Sequence, residues 1–237
     1  KAQEGRSEEI IKCIACNQGC IGRYGDSPNG KHLTCMRNPL CGHEFLFPNG
    51  ISPAPQPKKV LVAGGGIGGL EAARRLKERG HQVLLCEKNH HCGGEFLLAG
   101  VPPKKQEIQE AMQQELALTN WAGVEIHLNT TVDEEFLEKN RPDFLVDATG
   151  ATPVIPKIPG VELAVSAQDV LAEKKKVGKK VLILGGGLVG VETAEYLWSL
   201  GKEVTIVEML DKLTPKADAY KRHFVDEFIE KSGTKVY

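Results

Sequence analysis

The chain has 237 residues, of which 41% are hydrophobic and 26% charged, and its formal net charge is -1. That balance supports a packed core and gives no electrostatic basis for binding nucleic acid or a membrane surface. No apolar run approaches bilayer length and the N-terminus has no signal-peptide core, so a cytoplasmic location is expected.

A charged lead-in over residues 1–12 ends at the first concentration of chemistry, Cys13, Cys16 and Cys20 in a C-x2-C-x3-C run, with Cys35 following in Cys35-Met-Arg-Asn-Pro39. Three thiols on one turn-rich loop and a fourth from a later turn can surround a single small volume, as a 4Fe-4S cluster requires. A structural zinc site also takes four thiolates, although it usually shows two C-x2-C pairs. His32, Cys41 and His43 lie near enough in sequence to substitute as ligands, but packing or solvent exposure explains each more simply. The stretch from Gly22 to Lys31, rich in Gly, Asp, Ser, Pro and Asn, reads as a surface loop.

Pro48, Pro53, Pro55 and Pro57 mark an extended connector through residues 46–58 and a domain boundary. Beyond it, Val60 to Ala63 reads as a strand, Leu70 to Gly80 as a helix and Gln82 to Cys86 as a second strand. Between the first strand and the helix lies Gly64-Gly65-Gly66-Ile67-Gly68-Gly69, whose Gly64, Gly66 and Gly69 match the dinucleotide fingerprint. These glycines serve the tight turn, the approach of backbone to a pyrophosphate, and close helix-strand packing. Glu87, followed by Lys88, stands at the end of the second strand, where a carboxylate suits a ribose hydroxyl pair.

Cys86 reads as a core residue. Cys92 has no partner at disulfide-reductase spacing, and Gly93-Gly94-Glu95 after it either lets the chain pass close to a bound cofactor or is a plain turn. Glu107 to Leu118 reads as a helix, Val124 to Leu128 as a strand, Glu134 to Lys139 as a short helix, and Asp143 to Asp147 as a parallel strand ending in Ala148-Thr149-Gly150. Pro153, Pro156 and Pro159 mark a crossover.

The fingerprint then recurs. An offset of 121 residues carries Gly64, Gly66, Gly69 and Glu87 to Gly185, Gly187, Gly190 and Glu208, and Glu71 to Glu192. This period is far too long for a solenoid and implies two separate dinucleotide sites in an α/β fold of doubly wound parallel sheets. Glu192 is read as an acid favoured near a helix N-terminus. The expected organisation is a cysteine segment with linker (1–56), a first dinucleotide domain (57–177) and an incomplete second one (178–237), so that the chain reads as a fragment of a longer polypeptide.

The order of these motifs, from C-x2-C-x3-C and C-x2-NP through GGGIGG and ATG to GGGLVG, resembles the C-terminal half of the iron-sulfur flavoenzymes of the 2,4-dienoyl-CoA reductase, 2-enoate reductase and trimethylamine dehydrogenase family. The resemblance implies FAD at Gly64, Gly66, Ile67, Gly68, Gly69, Glu87, Lys88, Gly93, Gly94, Glu95, Ala148, Thr149 and Gly150, and a nicotinamide dinucleotide at Gly185, Gly187, Gly190 and Glu208. It also implies a 4Fe-4S cluster on Cys13, Cys16, Cys20 and Cys35. The intact second fingerprint favours an NADH-fed reductase, since Glu208 would repel the 2'-phosphate of NADPH. Electrons would pass from NADH through FAD and the cluster to FMN in a TIM barrel that this sequence lacks, for reduction of an enoate-type double bond. No catalytic residue is nominated. Two other classes stay open: an electron-transfer subunit resembling the small subunit of glutamate synthase, and a zinc-containing, non-catalytic nucleotide-binding module.

Overall fold

The computed structural model describes residues 1–24 and 32–237, so residues 25–31 of the expected surface loop lie outside it. In chain order the elements are α1 (Ile21–Tyr24), β1 (Lys59–Ala63), α2 (Ile67–Glu78), β2 (Gln82–Cys86), α3 (Gly94–Ala99), α4 (Gln106–Trp121), β3 (Glu125–His127), α5 (Glu134–Asn140) and β4 (Phe144–Asp147). They are followed by α6 (Ala167–Leu171), β5 (Lys180–Leu184), α7 (Leu188–Ser199), β6 (Glu203–Val207), α8 (Ala219–Ser232) and β7 (Lys235–Val236). The chain forms two compact units. One comprises Lys1–Cys16, Thr34–Leu97 and Glu107–Thr152, the other Asn17–Leu33, Leu98–Gln106 and Pro153–Tyr237.

The first unit is built on a parallel sheet of order β3-β2-β1-β4. The register Val60↔Val83 and Val62↔Leu85 places β1 and β2 side by side, and Val60↔Phe144 adds β4 on the other flank. Val60 to Ala63 are all buried, as expected of an inner parallel strand covered on both faces. Gly69, Leu70, Ala73 and Arg74 form the buried stripe of α2, whose Leu70 and Ala73 pack with Val62, Val83, Leu85 and Met112 in the core. Burying each large aliphatic side chain there stabilises the unit by about 1.5–3 kcal/mol. Phe144 and Leu145 of β4 stay exposed, because β4 is an edge of its sheet.

The second unit repeats the plan with a parallel sheet of order β5-β6-β7 and a core of Val191, Ala194, Leu197, Val204, Ile206, Val225 and Phe228. Residues 153–177, expected with the first fold, cluster here instead. The reason is packing: Val170 of α6 is buried in the second core, and Val177 packs against it. Helices α1, α3, α6 and α8 have no counterpart in the sequence reading, which placed residues 22–24 of α1 in the surface loop. The last two begin at side-chain caps that are legible afterwards, with Ser166 accepting from the Asp169 N–H and Asp218 from the Lys221 N–H. Among the described residues no helix is long and apolar enough to cross a membrane.

Candidate functional site

Each unit turns from its first strand into its first long helix through a glycine loop, and the two loops are built alike. Gly64 has φ 107 and Gly185 has φ 104, a left-handed backbone that favours glycine; their N–H groups donate to Cys86 O and Val207 O, both at 2.8 Å. A methyl group on Gly69 would stand 1.9 Å from Gly64 O, and one on Gly190 would stand 1.9 Å from Gly185 O, so helix and turn touch backbone to backbone. A methyl group on Gly66 or Gly187, by contrast, would meet nothing within 4 Å.

Those two glycines are the N-caps of α2 and α7, and neither helix start receives a side-chain cap or carries an acidic residue in its first turn. Helices α5, α6 and α8 satisfy an amide of their first turn with Asp133, Ser166 and Asp218. The contrast is chemical. At α2 and α7 the orphan N–H groups and the positive end of the helix dipole are left for an external anion, as a pyrophosphate site needs.

The acids complete the pattern. Glu87 is buried, its Oε2 accepting from the Gly65 N–H at 2.7 Å and its Oε1 from the backbone and side-chain amides of Asn89 at 2.9 and 2.7 Å. Glu208 does the same, with Oε2 accepting from Gly186 at 2.6 Å and Oε1 from the Leu210 N–H at 3.0 Å. The Gly186 amide, then that of Leu210, holds the Glu208 carboxyl below its ordinary range. Because the folded value is depressed, the stability it contributes is present above the unfolded pKa and is lost as pH falls through the folded one. Wild-type protein is therefore expected to lose more thermal stability than Glu208→Gln as pH is lowered through the carboxylate range, as read from paired melting curves; parallel curves would contradict this.

The glycine pair after β2 is part of the same construction. Gly66 and Gly93 form a parallel bridge, and the Gly93 N–H donates to Gly65 O at 2.8 Å. Gly94 opens α3, a helix where the sequence suggested only a turn. The 121-residue offset carries Gly93 to Thr214, whose N–H donates to Gly186 O at 2.9 Å. Thr214 is buried, sits at φ 45, and its Oγ1 has no partner. The residue types at the two positions differ, and in the sequence only the 121-residue offset relates them.

Of the other expected contacts, Gly68 borders open space, Ile67 is half-buried, and Lys88 and Glu95 are exposed. Ala148 lies against Gly64, its carbonyl oxygen being what a methyl group there would strike at 2.3 Å. Thr149 donates through both N–H and Oγ1 to Asp147 Oδ1, at 3.0 and 2.7 Å, and Gly150 follows at φ 87. Glu192 sits beyond the first turn of α7 and pairs with Lys105 at 2.5 Å and Lys221 at 3.1 Å, so ion pairing and not the helix dipole accounts for it.

Cys13 is exposed and Cys16, Cys20 and Cys35 are half-buried; none of the seven cysteines forms a disulfide. Cys13, Cys16 and Cys35 belong to the first unit and Cys20 to the second. Among the described residues no three Cys, His, Asp or Glu side chains converge to hold a metal ion, and this applies equally to His32, Cys41 and His43. What fits a cluster is the donor chemistry. The Ala15 N–H donates to Cys13 Sγ at 3.3 Å and the Arg37 N–H to Cys35 Sγ at 3.4 Å, and the buried Arg37 Nε has no protein partner.

Cys86 and Cys92 are different. Burial, reinforced by Glu125 and Glu87 respectively, pushes both thiols up to about 11. At neutral pH and without metal, iodoacetamide is expected to label Cys13 while sparing Cys86 and Cys92 until the protein is denatured. Peptide mass spectrometry checks this, and early labelling of Cys92 would contradict it.

Residues 58–237 match the family model described as pyridine nucleotide-disulphide oxidoreductase. The chain is 42% identical over 239 aligned residues to an NADH oxidase of Thermoanaerobacter brockii, covering 98% of this chain and 36% of that protein. It is 43% identical over 209 residues to a cinnamate reductase of Clostridium sporogenes, covering 88% and 31%. A solved 2-naphthoyl-CoA reductase complex superposes with a TM-score of 0.93 at 35% identity, covering all of this chain and 36% of that one. The chain thus spans about a third of the length of these relatives and matches the portion expected from its motifs, the C-terminal half of the 2-enoate reductase family.

Proposed function

The chain belongs to the pyridine nucleotide-disulphide oxidoreductase family, and from that premise we propose that it is the electron-input portion of an NADH-dependent iron-sulfur flavoenzyme acting on an activated double bond. The observation that carries this reading is the duplicated anion site, in which two uncapped helix N-termini each face an open glycine and each stand beside a carboxylate fixed at a strand end. The cinnamate and 2-naphthoyl-CoA reductases among the relatives support the substrate class.

In this reading Gly64, Gly66, Ile67, Gly68 and Gly69 hold the pyrophosphate of FAD on α2, with Glu87 and Lys88 near its ribose and Gly93, Gly94, Glu95 and Ala148 to Gly150 along its length. Gly185, Gly187 and Gly190 hold NADH on α7. Glu208, pinned by two amides, presents negative charge where NADPH would bring a phosphate. Cys13, Cys16, Cys20 and Cys35 hold a 4Fe-4S cluster. When bound, FAD supplies hydride acceptance from NADH and the cluster supplies one-electron transfer onward. Reduction of the organic substrate falls to an FMN-bearing barrel, in the same polypeptide or a partner subunit, and the protein works in the cytoplasm.

The test is a visible spectrum of anaerobically purified protein with iron and sulfide analysis, before and after NADH. Roughly four irons per chain, a broad band near 400 nm and flavin bands that bleach with NADH are expected. Colourless protein carrying zinc would overturn the cluster assignment and leave a nucleotide-binding module.

A further inference from the structure

The two strand-end acids are held alike except for one side chain. Each accepts through Oε2 from a glycine-loop amide and through Oε1 from the backbone amide two residues on, that of Asn89 in the first unit and of Leu210 in the second. In the first unit a side chain joins them, Asn89 Nδ2 donating to Glu87 Oε1 at 2.7 Å. The 121-residue offset sets Asn89 against Leu210, whose side chain has no donor.

The segment that carries Asn89 is fixed from behind. The Glu87 N–H donates to His127 O at 2.8 Å, the Thr130 N–H to Glu87 O at 2.9 Å and the Asn129 N–H to Asn89 O at 3.0 Å. Glu87 is 5% exposed, and a methyl group on Gly65 would stand 3.0 Å from its Cβ and 3.2 Å from its Oε2. The carboxylate therefore has little freedom to turn toward a ligand.

A carboxylate offers about four acceptor directions, two on each oxygen. At Glu87 the Gly65 amide takes one on Oε2, and the two Asn89 donors fill Oε1. A ribose presents two adjacent hydroxyls, and Glu87 has a single direction left for them. Asn89 can supply the other. Because a carboxylate only accepts, the Asn89 amide must turn Nδ2 to Glu87, which leaves Oδ1 as an acceptor that no hydrogen bond among the described residues uses, on an exposed residue.

We propose that Asn89 is the second ribose acceptor of the first dinucleotide site, where Glu87 Oε2 takes one hydroxyl and Asn89 Oδ1 the other. The second site has no such side chain beside Glu208. This rests on the reading given above that the first glycine loop holds FAD.

In the experiment the full chain is loaded with FAD, and ADP, 2'-deoxy-ADP and 3'-deoxy-ADP compete for it. Flavin released into a filtrate reports on the FAD-bearing site. On wild type each deoxy compound is expected to compete roughly fivefold less well than ADP, the loss of one hydrogen bond. On Asn89→Ala, ADP is expected to weaken by a similar factor, with one deoxy compound now matching ADP and the other keeping its penalty through Glu87. A variant that merely loosens the loop weakens all three competitors alike. That outcome, an unchanged set of three, or competitors that are equal on wild type overturns the proposal and leaves the FAD reading standing. Should Asn89→Ala hold too little FAD to titrate, Asn89→Ser, whose shorter side chain does not reach where Oδ1 stood, decides by the same comparison. Wild-type protein that holds no FAD, or whose FAD is not displaced by ADP, overturns the reading of the first glycine loop, and this proposal with it.

Discussion

Gly69→Ala is expected to unfold or severely loosen the first unit, while Gly66→Ala, three residues earlier in the same loop, leaves the fold intact and removes dinucleotide binding. The difference is in what a methyl group meets. At Gly69 it would lie 1.9 Å from Gly64 O and 3.3 Å from the Ala148 methyl, and a backbone carbonyl cannot rotate out of the way as a side chain could. Helix α2 would have to lift from the turn, at a cost of about 3 kcal/mol or more. That lowers the melting temperature by roughly 10 °C or more for a unit of this size. A methyl group on Gly66 would meet nothing of the protein within 4 Å, so the fold tolerates it, while it would stand in the path of a pyrophosphate approaching the start of α2. Calorimetry with flavin retention checks both. A Gly69→Ala protein that melts like wild type would show that α2 is not pinned by this contact. The same pairing holds at Gly190 and Gly187 in the second unit.

Glu115→Ala carries the second large expectation, a loss of about 3–5 kcal/mol in the first unit. Removing the carboxylate leaves Arg37 and Arg74, both nearly excluded from water, without the acceptor they share. The surroundings offer little relief, since burial already pushes the Glu71 carboxyl upward against the pull of Arg75 and Arg74. Replacing the pair together, as Arg37→Met with Glu115→Leu, is expected to restore most of the loss, because no charge is then left buried alone. Urea denaturation of Arg37→Met, Glu115→Leu and the double variant measures this as a coupling energy. A single variant within about 1 kcal/mol of wild type would mean that water reaches the site.

Much of this molecule was legible in its residues. The run Lys59 to Cys86 reads as strand, glycine turn, helix and strand because each step has its own local cause: an apolar run, three glycines with distinct steric duties, and a buried stripe at helical spacing. The repeat at 121 residues places the two glycine loops in register, and spacing alone puts Glu87 and Glu208 at the ends of the strands that follow them. Helix α3 was not legible, because Gly93-Gly94 is equally a turn signal. Helices α6 and α8 lie beyond the crossover prolines and beyond the second fingerprint, and their mark in the sequence is an ordinary N-cap, Ser166 and Asp218 respectively.

The sequence by itself determined the parallel α/β class, the two glycine loops and the acids at the strand ends, because turn sterics and helix dipoles are properties of a few adjacent residues. Only the tertiary structure decided that Glu87 and Glu208 are locked onto the glycine amides, that Thr214 stands in for Gly93, and that residues 153–177 pack with the second core. It alone brought Arg37, Gln114, Glu115 and Arg74 together across 78 positions of chain. A buried ion pair leaves no periodic trace in sequence. Its partners are chosen by which helices the core brings into contact, and that is settled by packing over the whole unit.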